Sequence, residues 1–256
     1  MAKPHVSLAR RQLLAMIALA AGSGPLRARG LHPLRALAFD AFVLFSPEAV
    51  VKRAREIAGD EGEALVRAAS TKLFGYTWYY TSAGRYAEFD ELAAGAFSSA
   101  AENLGLNLSR AETDRLVEGY AHLELWKDVP AALGILRRHG IRLAMLSNLS
   151  ERVLRANLRA NGIDQYFEFV LSTDTARQYK PGQAAYGLAV RAFNARREEI
   201  GFAASAGWDA SGATWFGFPT VWVNRTGAPP EEALARPALV STGTDGVLQL
   251  ASLDRS

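Results

Sequence analysis

Five short apolar runs punctuate the chain, each closing on polar residues: 34–40, 141–148, 167–172, 200–205 and 219–224. Runs of this length that are nearly continuous rather than alternating fit strands buried on both faces of a parallel sheet. Helical periods separate the later runs, at residues 131–139, 150–159 and 181–193. The first stops at Gly140 and the second near Gly162, where glycine takes the left-handed conformation that ends helices. Alternation of this kind predicts an α/β fold, a doubly wound parallel sheet with helices on both faces. A short additional strand is expected at residues 239–241, after the turn-forming stretch 227–230.

The first and second strands are separated by far more chain than one crossover helix needs. Helical patterns at 48–58, 61–73, 89–104 and 111–119 fill this stretch. The expected organisation is a core of residues 31–45 and 131–256, with a helical cap of residues 46–130 inserted after the first strand. Such an insert lies over the carboxyl ends of the strands, where ligands bind in open α/β sheets.

The polar residues at those strand ends carry the candidate chemistry. They are Asp40, then Ser147 and Asn148, then Lys180 in the loop after the third strand, then Ser205 to Asp209 after the fourth. Singly, each has a plainer reading: Asp40 or Ser147 can cap a helix, and Lys180 can lie in a surface loop. Together, they describe one crevice. A strand-end aspartate can attack as a carboxylate nucleophile. A neighbouring lysine keeps it ionised and offsets developing negative charge. Serine and asparagine can donate hydrogen bonds to a carboxylate or phosphate, and a second acid can hold the lysine, position water or bind a metal.

Composition narrows the alternatives. Hydrophobic residues make up 49% and charged residues 21% of the 256, so a packed core is expected. The net charge of +3 owes much to Lys3, Arg10, Arg11, Arg27, Arg29 and Arg35, which leaves a nearly neutral remainder and no case for nucleic acid. No cysteine is present, which excludes disulfides and thiolate chemistry. His5, His32, His122 and His139 form no metal-ligand spacing with carboxylates, and no nucleophile-elbow serine occurs. The aromatic residues Tyr76, Trp78, Tyr79, Tyr80, Tyr86 and Phe89 read either as a ligand wall or as cap interior, and the helix carrying Trp78 also as a dimer face.

Residues 1–30 read as a targeting segment, with a basic stretch ending in Arg10-Arg11, an apolar run at 13–21 and Gly22-Ser23-Gly24-Pro25. The run is shorter than the roughly 20 residues a membrane span needs. Residues 7–14 resemble a twin-arginine export signal, which implies a periplasmic protein with no membrane attachment once the signal is removed. A basic, apolar helix retained as an anchor is the alternative.

The strand-end residues resemble the four signatures of the haloacid dehalogenase superfamily. The runs Leu146-Ser147-Asn148-Leu149-Ser150, Tyr179-Lys180-Pro181 with Tyr186, Gly207-Trp208-Asp209-Ala210-Ser211-Gly212-Ala213 and Trp222-Val223-Asn224-Arg225-Thr226-Gly227 are similar to the (S)-2-haloacid dehalogenases, as is Tyr76-Thr77-Trp78. The resemblance spans about residues 33–250. It implies that Asp40 displaces halide from short (S)-2-haloalkanoic acids, and that water then hydrolyses the aspartyl ester to a 2-hydroxy acid. It assigns catalysis to Asp40, Lys180 and Asp209, and substrate contact to Ser147, Asn148, Tyr186, Ser205, Trp208 and Phe42. The implied partner is a small 2-haloacid or similar carboxylate, with no cofactor or metal required and a homodimer as the usual assembly.

The chain departs from the pattern at several places. Phe42 stands where the phosphatase branch carries its general acid, which disfavours a phosphatase although Asp40 and Asp209 could share magnesium. Val43 and Leu44 replace the usual glycine and threonine. Ala204 replaces a serine, and Ala206 an asparagine that orients nucleophile and water. Ser70 stands at the place of the cap arginine that cradles halide, with Lys72 and Arg85 nearby. Three readings follow: a dehalogenase with a rearranged pocket that uses Lys72 or Arg85, a hydrolase with another leaving group, or a catalytically weak relative that binds a small carboxylate.

Overall fold

The computed structural model describes residues 34–230 and 232–252. The export-signal reading of residues 1–30 lies outside the described residues.

Six strands form one parallel sheet: β1 (Ala36–Phe39), β4 (Arg142–Ser147), β5 (Phe169–Ser172), β6 (Ile200–Ala204), β7 (Thr220–Val223) and β8 (Leu239–Ser241), in the order β5-β4-β1-β6-β7-β8. The strands are those expected, trimmed by a residue or two where the polar ends turn away. The chain builds outward from β1 in one direction through β4 and β5, and in the other through β6 to β8. β1 therefore sits at the topological switch point, where open sheets bind ligands. Its register pairs Phe39 with Met145 on one side and Ala203 on the other, so Asp40 emerges beside the ends of β4 and β6.

Alternation along the buried strands supplies two cores. Leu37, Phe39, Leu143 and Met145 face α6 (Val129–Arg138), α7 (Glu151–Ala160) and α10 (Asp245–Ser252). Ala36, Ala38, Ala144 and Leu146 face α8 (Gln183–Phe193) and α9 (Gly207–Phe216). Gly140 and Gly162 have φ of 69° and 64°, as their role past helix ends requires.

Beyond β1 comes a short helix, α1 (Ala41–Leu44), and then β2 (Phe45–Ser46), which pairs antiparallel with β3 (Glu124–Leu125). Between the two lie α2 (Glu48–Ala58), α3 (Gly62–Ser82), α4 (Phe89–Asn103) and α5 (Arg110–Glu118). α3 runs nine residues past the predicted end at Leu73, through Gly75 and an aromatic stretch of poor helical signal. Gly62 is required where α2 and α3 meet, because a Cβ there would lie 2.6 Å from the Ala54 carbonyl carbon. Where the chain returns to the sheet, buried Asn157 of α7 accepts from the Leu123 N–H (2.8 Å) and donates to the Tyr120 carbonyl (2.7 Å).

Candidate active site

Asp40 ends β1 and begins α1, whose first turn it caps: its Oδ2 accepts from the Phe42 N–H at 3.1 Å. The capping and nucleophile readings of Asp40 are thus compatible. Ser205, just past β6, donates from Oγ to the same oxygen at 2.6 Å. Ser205 is held in turn by its carbonyl, which accepts from Trp222 Nε1 at 3.2 Å. Oδ1 accepts from Lys180 Nζ at 3.0 Å. Both oxygens of the carboxylate are therefore fixed in direction.

Lys180 is 1% exposed and bridges two acids, with Nζ also 2.8 Å from Asp209 Oδ2. Asn148 orients this loop by accepting the Lys180 backbone N–H at 3.1 Å. Burial works against the ammonium, but the charges of Asp209 and Asp40 outweigh it and raise the lysine above its ordinary pKa. Asp209 sits in the first turn of α9 and is raised to about 6. Burial is the main cause and the Asp40 charge adds to it, while Lys180 and the Tyr186 hydrogen bond pull the other way.

These groups open onto a cavity of about 330 Å³. Asp40, Phe42, Ser147, Asn148, Lys180, Ser205, Trp208 and Asp209 all line it, so eight of the nine predicted site residues converge. Ser147 and Asn148 are not helix caps, since the N-cap position of α7 falls to Ser150. Trp208 closes one side, edge-on to Phe74 and Trp78 of α3 at 5.4 and 5.6 Å between ring centroids.

Tyr186 is the correction. It was expected to meet substrate, but it is wholly buried and absent from the cavity lining; its hydroxyl donates to Asp209 Oδ1 at 2.7 Å. It lies one layer behind the site, where burial and the Asp209 charge keep the phenol protonated as a donor. Lys72 and Arg85 are likewise absent from the lining. Of the aromatic patch, Phe89 alone reaches the cavity, while Tyr86 stacks on Tyr179 and Tyr79 faces solvent.

Sequence reading missed Arg225. Besides Lys180 it is the cation among the described residues lining the cavity. Its Nη2 donates to Asp128 at 3.0 Å and to the Val43 carbonyl at 3.1 Å, and its guanidinium lies 4.7 Å from the Trp126 ring centre. Its buried Nε has no hydrogen-bond partner among the described residues. A signal was available, because Arg225 lies two residues past β7, on the same edge of the sheet from which Asp40 follows β1.

The site does not suit a divalent cation shared by Asp40 and Asp209. The Lys180 ammonium already lies between them. Among the described residues, no group of three or more His, Cys, Asp or Glu is placed to hold a metal.

A central parallel sheet with a helical insert after its first strand, and an aspartate–lysine–aspartate array at the switch point, define an α/β hydrolase with a carboxylate at its centre. The haloacid dehalogenase-like hydrolase family matches residues 34–217, and the chain belongs to it. It is 34% identical over 218 residues to the (S)-2-haloacid dehalogenase of Pseudomonas sp. strain YL, covering 85% of this chain and 94% of that one. It is 36% identical to the crystal structure of the L-2-haloacid dehalogenase RSc1362, with a TM-score of 0.83 over 86% of this chain and 99% of that one. The L-2-haloacid dehalogenase of Xanthobacter autotrophicus, solved with chloropropionic acid covalently bound, is 25% identical with a TM-score of 0.76, over 87% and 97% of the two chains.

Proposed function

We propose that the protein hydrolyses (S)-2-haloalkanoic acids to 2-hydroxy acids through an ester on Asp40. The observation that carries this reading is the buried Lys180 ammonium, which ties Asp40 to Asp209 beside the donors Ser147 and Asn148 in one cavity. An Asp40 oxygen attacks C2, and the carbon–halogen bond breaks with its electron pair leaving on the halide. Water then adds to the ester carbonyl of Asp40, one proton is lost, and the 2-hydroxy acid departs as the carboxylate is regenerated. Ser147 and Asn148 hold the substrate carboxylate. Lys180 keeps Asp40 ionised. Asp209, which lines the same cavity and is held above the ordinary carboxylate range chiefly by its burial, receives the proton from water. Arg225 takes the place of the absent cap arginine as the cation toward which halide leaves. The names of the relatives and the covalently bound chloropropionic acid in the Xanthobacter enzyme support this chemistry.

The test is halide release from (S)-2-chloropropionate by the full chain and by Asp40→Asn. Release by the wild type alone is expected. In heavy-oxygen water, the label should enter the Asp40 carboxylate during turnover. A wild type that binds carboxylates but releases no halide would leave the weak-relative reading in its place.

We also propose export to the periplasm, on the strength of residues 7–14. Replacing Arg10 and Arg11 together by lysine should hold the protein in the cytoplasmic fraction; unchanged export would remove the twin-arginine assignment.

A further inference from the structure

The cavity is polar at the strand ends and apolar beneath α3, with Arg225 at its Trp126 edge. Asp40, Lys180, Ser147, Asn148 and Ser205 form its floor at the strand ends. Its roof is one face of α3, presenting Val66, Ser70, Leu73, Phe74 and Thr77 at helical spacing. The Thr77 hydroxyl is already engaged, donating to the Phe74 carbonyl at 2.8 Å. Val50, Phe89 and Trp126 continue the roof, and the indole N–H of Trp126 is taken by the Phe42 carbonyl at 3.2 Å. Ser70 stands where an arginine was expected, so this face of α3 lacks a cation and leaves open the space that an arginine side chain would fill.

We infer that this roof is a subsite for a bulky apolar substituent on C2 of the acid, and that the enzyme prefers long-chain or aryl-bearing 2-haloacids to the smallest ones. The inference rests on the proposed function and names its substrate class. Two arguments converge. The first is charge. Arg225 stands at the far edge of the cavity against Trp126, whereas under the α3 face, which carries no cation, a carboxylate or departing halide would be an unpaired charge in apolar surroundings at a heavy desolvation cost. The neutral part of the substrate goes there, and the charged parts go to the floor and to Arg225. The second is volume. A three-carbon 2-haloacid needs on the order of 100 Å³, if each heavy atom takes somewhat less than the ~30 Å³ share of a water molecule. The cavity offers about 330 Å³. A small substrate leaves most of that apolar wall against water, whereas an alkyl chain or phenyl ring buries it.

The experiment is a series of 2-bromo acids given to the full chain: bromoacetate, 2-bromopropionate, 2-bromohexanoate and 2-bromo-3-phenylpropionate, with bromide release measured. The ratio kcat/KM should climb about fourfold per added methylene until the roof is filled, from the free energy of burying a methylene. In Ser70→Phe, whose ring occupies the roof, the hexanoate-to-propionate ratio of kcat/KM should fall at least tenfold. Bromide release that is flat or declining with chain length overturns the subsite while leaving the dehalogenase reading intact. No bromide from any member overturns the dehalogenase reading, and the subsite is then decided by calorimetric binding of the halogen-free acids. Tighter binding of hexanoate than of acetate supports it, and equal binding overturns it.

Discussion

Ser205 Oγ donates to Asp40 Oδ2 at 2.6 Å, from a residue that is adjacent to Asp40 only because β6 lies beside β1. Hydrogen bonds to charged groups contribute about 1.5–3 kcal/mol. Ser205→Ala should therefore lower kcat by about 10–100-fold, since the carboxylate is freed to swing. Its melting temperature should fall by only several degrees, about 2–4 °C per kcal/mol lost. Steady-state halide release beside a thermal melt checks both, and an unchanged kcat would show that Ser205 does not position the nucleophile.

Lys180 satisfies two buried carboxylates at once. Lys180→Met leaves both without a counter-charge, and breaking a buried pair costs about 3–5 kcal/mol. Combining it with Asp209→Asn removes one of the stranded charges. Urea unfolding should therefore find the double variant more stable than Lys180→Met alone. Additive losses would mean that the two side chains are not energetically coupled.

The raised value of Asp209 sets a pH dependence. This acid is mostly protonated below about 6 and ionised above it. If Asp209 receives the proton from water, activity should fall on the acid side with an inflection near 6, and Asp209→Asn should lose that inflection together with most of the rate. The stability sign is the opposite of that for a salt-bridged surface carboxylate. The folded chain retains this proton between the ordinary value of 3.8 and about 6, so the contribution of Asp209 to stability is full below that interval and is lost as pH rises through it. A pH–rate profile and a pH series of urea midpoints read the two effects separately.

The strands were legible because each is a short apolar run with a polar end, and those ends are also where the chemistry sits. The same rule, applied at Arg225, would have found the residue that was missed. What it could not supply was the partner, since Asp128 lies 97 residues away in sequence. Tyr186 was misplaced for a related reason. Its motif neighbours reach the cavity, but a residue on α8 packed under the sheet reaches only the back of Asp209. Helix α9 went unread because Gly207, Ser211, Gly212 and Thr214 are poor helix formers. Burial against β6 and β7 holds it in place, an effect of tertiary packing that local propensity does not encode. The last turns of α3 were hidden in the same way, behind Gly75 and the aromatic residues that follow.

The end of α3 is tethered to the sheet domain. Thr81 Oγ1 accepts from the Tyr179 N–H at 3.2 Å, and just beyond the helix Tyr86 hydrogen-bonds Asp174 and stacks on Tyr179. Ser70 lies eleven residues back along the same rod, or roughly 16 Å at the α-helical rise. Each degree of tilt about the tether therefore moves Ser70 by roughly 0.3 Å. The tether thus stands next to Lys180, while the Ser70 end of the helix lies over the cavity that Asp40 lines. A change at Tyr86, Asp174 or Thr81 would accordingly be felt as a change of headroom over Asp40, although none of the three lines the cavity.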